Sequence, residues 1–286
     1  MSANPPTAEI EAARAATGFS LEMEAPLRGR FGWRAASQEA VAYLAAEEEG
    51  RRRLLREARV YSWARDQGIP VPRTIAVAPD GSYLVMQRVS SDPAQGVSYV
   101  ERSIDAADRI AAATWPRSEV VQGARKRSPR LRSIPLRWSR LALGPLDLSE
   151  VVGVYRRVGR LPSQALAHGD FDARNVLFDA TAATVKVVDW EFLGPAPLHT
   201  DLAMLWTTLE RYDDRRLLED LVVDRLDPSA QADLALLMRW TSLRLLVEVL
   251  TWSPARGRNV PRIERAFAVL EEARERDRSR KIGSHG

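Results

Sequence analysis

Apolar and polar positions alternate with a helical period through residues 48–67. Leu54, Ala58, Tyr61 and Ala64 fall on one face, and Gly68 stands as a stop. This predicts a helix from Glu48 to Gln67, left by an extended exit that Pro70 and Pro72 enforce. A shorter helix is predicted over residues 6–17, ended by Gly18. Phe19–Leu27 and Glu39–Leu44 read as strands around the Arg-Gly-Arg-Phe-Gly stretch of residues 28–32. Ser82–Val89 is a strand, set between the turn signal Pro79-Asp80-Gly81 and a Ser90–Pro93 loop. Beyond it the pattern turns helical: 98–114, 148–160 capped by Ser149, 200–212, 215–224, 231–252 and 261–279. Ile263, Phe267 and Leu270 mark the apolar face of the last, and residues from about 275 are charged and expected to fray. One pair of short strands, Asn175–Asp179 and Thr184–Trp190, interrupts the helices. No internal repeat is visible.

The order of these elements implies two parts. A small strand-containing part runs to about residue 90, and a larger helical part covers 91–286, with the boundary in the loop Ser90–Gly96. Composition narrows the class further. With 45% hydrophobic and 28% charged residues, the 286-residue chain can bury a sizeable core. The net charge is only +4, and with three lysines (Lys126, Lys186 and Lys281) the basic groups are nearly all arginine. There is no cysteine, which excludes disulfides, thiolate metal sites and a cysteine nucleophile. Three histidines, one of them in the tail at His285, argue against a histidine-rich metal centre. No stretch of about 18 apolar residues exists and the N-terminus lacks a signal-like apolar run, so the expected location is the cytoplasm.

The chemistry concentrates in His168-Gly169-Asp170-Phe171-Asp172-Ala173-Arg174-Asn175. An Asp and an Asn five apart on one loop can face a common point. The Asp can accept a proton from an attacking hydroxyl, and the Asn carbonyl oxygen can ligate Mg²⁺, as in the kinase catalytic loop. Fourteen residues after Asn175 comes Asp189, at the end of the strand Val185–Val188. A carboxylate there can hold Mg²⁺ against nucleotide phosphates. Phosphoryl transfer needs both: the metal neutralises developing charge, and the base orients the nucleophile.

Together with Val188-Asp189-Trp190-Glu191, Gly194-Pro195 and Asp201-Leu202-Ala203, this loop resembles that of the aminoglycoside phosphotransferase (APH) family of protein-kinase-like small-molecule kinases. Gly68-Ile69-Pro70-Val71-Pro72 and Leu84–Val89 are similar to that family's helix exit and hinge strand. The resemblance implies an α+β, bilobal protein-kinase-like fold: a small antiparallel-sheet N-lobe with one major helix, a mainly helical C-lobe, and ATP or another nucleoside triphosphate in the cleft. It implies Asp170 as the base, Asn175 and Asp189 as Mg²⁺ ligands, and backbone groups of Gln87 and Val89 against adenine. Leu177 would pack beneath the ring, Glu57 would be the family's helix glutamate, and Gly29 and Gly32 would form a sparse phosphate loop.

One departure stands out. The family pairs its helix glutamate with a strand lysine that grips phosphates, and no lysine precedes Lys126 here. Tyr43 or Ala45 takes the place, and Arg34 or Arg51–Arg53 are the candidates to substitute. The loss of one such contact costs at most about 4 kcal/mol at an effective dielectric of about 20 and about 4 Å. An arginine grips differently, through a larger fork. The departure opens a second reading, a nucleotide-binding pseudokinase with a regulatory or scaffold role.

Other positions have ordinary readings. His168 is expected to hold the loop by hydrogen bonds, and Asp201 to cap its helix and brace the catalytic loop. Arg244 and Glu248, four apart, suggest a helix ion pair. Glu210, Asp213, Asp214, Glu219 and Asp220 are surface charges first, and an acidic pocket for an aminated acceptor second. Arg125–Arg140 carries a run of basic residues and no acidic one. It suits an anionic partner, and with Trp138 as its lone aromatic it does not suit specific nucleic-acid binding. The expected partner of the site is a small-molecule hydroxyl acceptor, with antibiotic resistance among the roles open to it.

Overall fold

The computed structural model describes residues 6–26, 32–89, 95–115, 148–179, 182–252 and 260–283. Gly29 and the basic run Arg125–Arg140 lie outside them. The chain divides into two units: Met1–Ala94, Ala113–Ala124 and Arg174–Glu191 form one, and Gln95–Ala112, Arg125–Ala173 and Phe192–Gly286 the other.

The first unit is built on an antiparallel sheet of β1 (Glu22–Pro26), β2 (Trp33–Ala36), β3 (Ala40–Leu44), β4 (Thr74–Val77) and β5 (Tyr83–Gln87), ordered β1-β2-β3-β5-β4. Its central pair sets Ala40 against Gln87, Ala42 against Val85 and Leu44 against Tyr83. Because side chains alternate across a strand, Ala40, Ala42 and Leu44 share one face, and they pack with Ala35, Val85 and Leu21. Over this small-residue face lies α1 (Thr7–Thr17), which buries Ile10 and Ala13 there. It ends at Gly18, whose φ of 73° and N–H to the Arg14 carbonyl form a left-handed cap. The opposite face carries Val41, Tyr43, Leu84 and Met86.

Helix α2 (Glu48–Asp66) has Glu48 and Glu49 in its first turn and Arg65 in its last, as the helix dipole favours. It buries Leu54, Val60, Tyr61 and Ala64. The β4–β5 turn is seated on this helix by Gly81: at φ 76° it adopts a left-handed conformation, and a Cβ there would stand 2.3 Å from the Arg51 carbonyl oxygen. The ribbon of β7 (Val176–Asp179) and β8 (Thr184–Val187) completes the unit. The Val187 N–H donates to the Pro70 carbonyl at 2.8 Å, tying the ribbon to the exit of α2.

The second unit is helical: α3 (Val97–Ala112), α4 (Leu148–Val158), α5 (Thr200–Thr208), α6 (Tyr212–Val223), α7 (Pro228–Trp252) and α8 (Val260–Gly283). A two-stranded antiparallel pair, β6 (Ala165–Ala167) with β9 (Gly194–Ala196), leads into and out of the motif region. Buried residues of α7, among them Leu237, Thr241, Leu243 and Leu246, form its centre. Arg215 reaches from α6 to Glu272 of α8 at 2.7 Å, and Arg239 of α7 joins Glu150 of α4 at 2.7 Å and Asp277 of α8 at 2.6 Å. Burial alone would raise the Glu150 carboxyl, but the guanidinium groups of Arg274 and Arg239 hold it below the usual range. No helix among the described residues is long and apolar enough to cross a membrane.

Candidate active site

In the second unit, β6 delivers the chain to His168, which is fully buried. The N–H groups of His168 and Gly169 donate to the two oxygens of Asp201, at 2.7 and 3.0 Å. Burial pushes the Asp201 carboxyl up, while these backbone donors and His168 pull it down. Asp201 therefore braces the loop from the first turn of α5, and the helix-cap role also expected of it is not seen: His199 occupies that position. The Asp170 N–H points at Nδ1 of His168 at 3.3 Å, the Asp172 N–H at the Asp170 carbonyl at 2.8 Å, and the Ala173 N–H at the Thr208 hydroxyl at 3.0 Å. A ring nitrogen that accepts is unprotonated, so His168 serves the loop through its Nδ1 lone pair. Gly169 is required here. At φ 79° it is left-handed, and a Cβ would stand 2.6 Å from the Phe192 carbonyl oxygen. Asp170, half-buried, is thus presented by a loop whose backbone donors are satisfied one after another.

Residues Arg174–Glu191 belong to the first unit. In the ribbon, Val176 pairs with Val187, and the Val188 N–H donates to the Asn175 carbonyl at 2.9 Å. Asn175 and Asp189 consequently stand at the same open end of the ribbon. Asp189 has φ 66°, a left-handed backbone rarely adopted outside glycine and found where surroundings over-determine it. Its N–H donates to the Tyr61 hydroxyl of α2 at 3.4 Å. Glu57, one turn before Tyr61, and Tyr43 on β3 both bear electrostatically on that hydroxyl, which burial first of all pushes well above the usual phenol range. Leu177 pairs with Lys186 on one face of the ribbon. Gln87 ends β5, its N–H donating to the Arg73 carbonyl at 2.8 Å, and Val89 follows two residues on. Gly32 precedes β2.

The arginines expected to replace the lysine are directed elsewhere. Arg34 pairs with Glu24 of the neighbouring strand at 3.0 Å. Arg51 reaches Asp80 at 2.7 Å and Glu9 of α1 at 3.4 Å. Arg52 and Arg53 pair with Glu48 and Glu49 of their own helix, as i,i+3 and i,i+4 spacing allows. Arg56 is the one that sequence reasoning missed: it donates to the Trp190 carbonyl at 3.4 Å. Arg56 lies on one stripe of the helix with Val60 and Trp63, but Arg52 shares that stripe, so spacing alone does not single it out. Of the two residues placed at the lysine position, Tyr43 lies on the α2 side of the sheet, whereas Ala45 is buried with its N–H on the Ser82 carbonyl.

The suggested acidic pocket is dispersed. Glu210 pairs with Arg265 and Asp213 with Arg211. Glu219 accepts from Trp206 at 2.6 Å and from Arg276. Asp214 alone of the set is buried, with the Gly96 N–H at 3.2 Å. Arg244, expected beside Glu248, lies over the Trp240 ring at 5.5 Å.

Comparisons with known proteins agree with this architecture. The ADP-bound aminoglycoside phosphotransferase APH(2'')-Ib superposes with a TM-score of 0.60 at 13% identity, over 95% of this chain and 99% of that one. A choline/ethanolamine kinase family protein from Mesorhizobium loti gives 0.59 at 16% identity, over 96% and 99%. The streptomycin-ATP-APH(2")-IIa ternary complex gives 0.60 at 12% identity, over 90% and 94%. No curated protein matches the chain. At these identities the structures establish the fold, which is the bilobal, kinase-like α+β fold. The sequence model of the APH family, described as the phosphotransferase enzyme family, matches residues 31–237, most of the chain, and the protein belongs to that family.

Proposed function

We propose that this protein is a Mg²⁺- and ATP-dependent phosphotransferase whose acceptor is a hydroxyl group of a small molecule. The observation that carries the reading is the way each part of the motif is held. Asp170 is presented by a braced loop, and five residues on, Asn175 shares the open end of a ribbon with Asp189. An amide oxygen and a carboxylate are hard donors that suit Mg²⁺, which is usually held by one or two carboxylates together with substrate phosphates. When bound, the ion would neutralise charge developing on the transferred group. Asp170 takes the acceptor's proton as its oxygen bonds to the γ-phosphorus and the bond to the leaving ADP breaks. Backbone groups of Gln87 and Val89 are assigned to adenine, Leu177 to the face beneath it, and Gly29 and Gly32 to the phosphates. The similar structures that hold ATP, ADP or GDP support a nucleotide as donor.

The acceptor is read as an amine-bearing alcohol. Structures of the same fold holding kanamycin and streptomycin point that way. The second reading, nucleotide binding without transfer, rests on the lack of any lysine before Lys126.

Incubation with labelled ATP, Mg²⁺ and a panel of aminoglycosides, choline and simple amino alcohols tests the proposal. Transfer of label to one of them, lost in Asp170→Asn, is expected. Nucleotide binding with no transfer to any acceptor would favour the second reading.

A further inference from the structure

Helix α2 is fastened to the segment that carries Asp189 through Arg56, Tyr61 and Trp63. The Tyr61 hydroxyl accepts the Asp189 N–H at 3.4 Å, and Arg56 donates to the carbonyl of the next residue, Trp190, at 3.4 Å. The Trp63 ring meets the Trp190 ring edge-on at 6.2 Å and 86°. Trp190 is itself fully buried, its indole N–H on the Val187 carbonyl at 3.3 Å, so it is a fixed anchor rather than a surface contact. A left-handed Asp189 needs such restraint, since that backbone is disfavoured for a non-glycine residue.

We propose that Tyr61 and Arg56 are positioning residues: they clamp α2 to the Asp189–Trp190 backbone and thereby aim the Asp189 carboxylate, in place of an ion pair from strand to helix. The inference rests on the reading of Asp189 as a metal ligand. The groups around the clamp fit the role. Tyr61 is wholly buried beside Glu57, Tyr43 and Asp189. Arg56 is half-buried between Glu57 and Glu191, whose charges offset part of its desolvation. Tyr43 stands where the lysine is missing, on the same side of the sheet as this cluster.

Calorimetric titration of the full-length protein with a non-hydrolysable ATP analogue, with Mg²⁺ and with EDTA, tests the clamp in Tyr61→Phe, Arg56→Gln, Arg56→Lys and Asp189→Ala. Tyr61→Phe and Arg56→Gln are expected to weaken binding about fivefold in Mg²⁺, the loss of one long hydrogen bond, and to leave binding in EDTA unchanged. Arg56→Lys should recover part of the loss. The inference is overturned if Asp189→Ala shows a Mg²⁺-specific loss while Tyr61→Phe and Arg56→Gln bind like wild type, or lose affinity equally in both conditions. If Asp189→Ala itself shows no Mg²⁺-specific loss, the metal-ligand reading falls, and the clamp's purpose with it. Should Tyr61→Phe fail to fold, the two Arg56 variants decide the matter, because that side chain is only partly buried.

Discussion

Two carboxylates, Asp170 and Asp189, are held by opposite means. The Asp170 loop is braced by a buried acid, Asp201, through two short backbone contacts of 2.7 and 3.0 Å. The Asp189 segment is held by a phenol and a guanidinium through two contacts of 3.4 Å, with an aromatic pair behind them. Charge-assisted bonds of the first kind are shorter and roughly twice as strong as neutral ones. The Asp170 loop is therefore the more firmly held, and its hold depends on protonation. The Asp189 segment is held by longer contacts, and its phenol hold does not titrate in the ordinary range. One family motif is thus served by two different kinds of support.

The contrast can be broken at either end. The largest effect is expected from Asp170→Asn, which should lower transfer by about 10²–10⁴-fold with its thermal unfolding near wild type. Near-normal turnover would remove Asp170 as base. Next comes Gly169→Ala, expected to cost about 2–4 kcal/mol in denaturant unfolding, because the new Cβ meets a carbonyl at 2.6 Å and the φ is left-handed. Gly18→Ala is the control: it shares the positive φ but meets nothing within 4 Å, and should cost only about 1–2 kcal/mol.

Asp201→Asn should cost about 1–3 kcal/mol, since an amide offers one acceptor oxygen to two N–H groups. Its pH dependence has a definite sign. The folded carboxyl is raised above its unfolded value, so the folded state holds the proton more tightly. Its contribution to stability is then greatest in acid and falls as pH rises from the ordinary carboxylate range through the raised value. The gap between wild type and Asp201→Asn should narrow over that window in urea titrations. Tyr61→Phe is the smallest effect, about 1 kcal/mol. Because burial moves that phenol further from neutrality, its penalty should be flat between about pH 5 and pH 9. A sloping penalty there would contradict the neutral hold.

Much of this was legible before the structure. The helix at 48–67, its Gly68 stop, the Gly18 cap and the strand pair around residues 176–187 follow from periodicity and turn chemistry. So does the motif, because Asp170 and Asn175, five apart, fall on one loop. What escaped was set by pairing across the chain rather than by local preference. β6, Ala-Leu-Ala, has no β-branched residue, and β9, Gly-Pro-Ala, is made of residues that weaken strands. Each exists because the other lies beside it. β2 was hidden by its alanines, and β4 by the prolines just before it. The arginine that matters was misplaced for a related reason. In an arginine-rich helix the charges look alike in sequence, and only the tertiary contact with the Trp190 carbonyl separates Arg56 from the arginines that pair with Glu48 and Glu49.

The alanine face of the sheet has a consequence for handling the protein. Ala35, Ala40, Ala42, Leu44 and Val85 are covered by α1 through Ile10 and Ala13. A chain cut just after Gly18 would present that row to solvent as a smooth apolar sheet surface, the sort of patch through which proteins clump. Shortened versions should therefore fail first in the insoluble fraction, before any question of turnover arises, and a tag placed ahead of α1 is the safer choice for keeping the protein in solution.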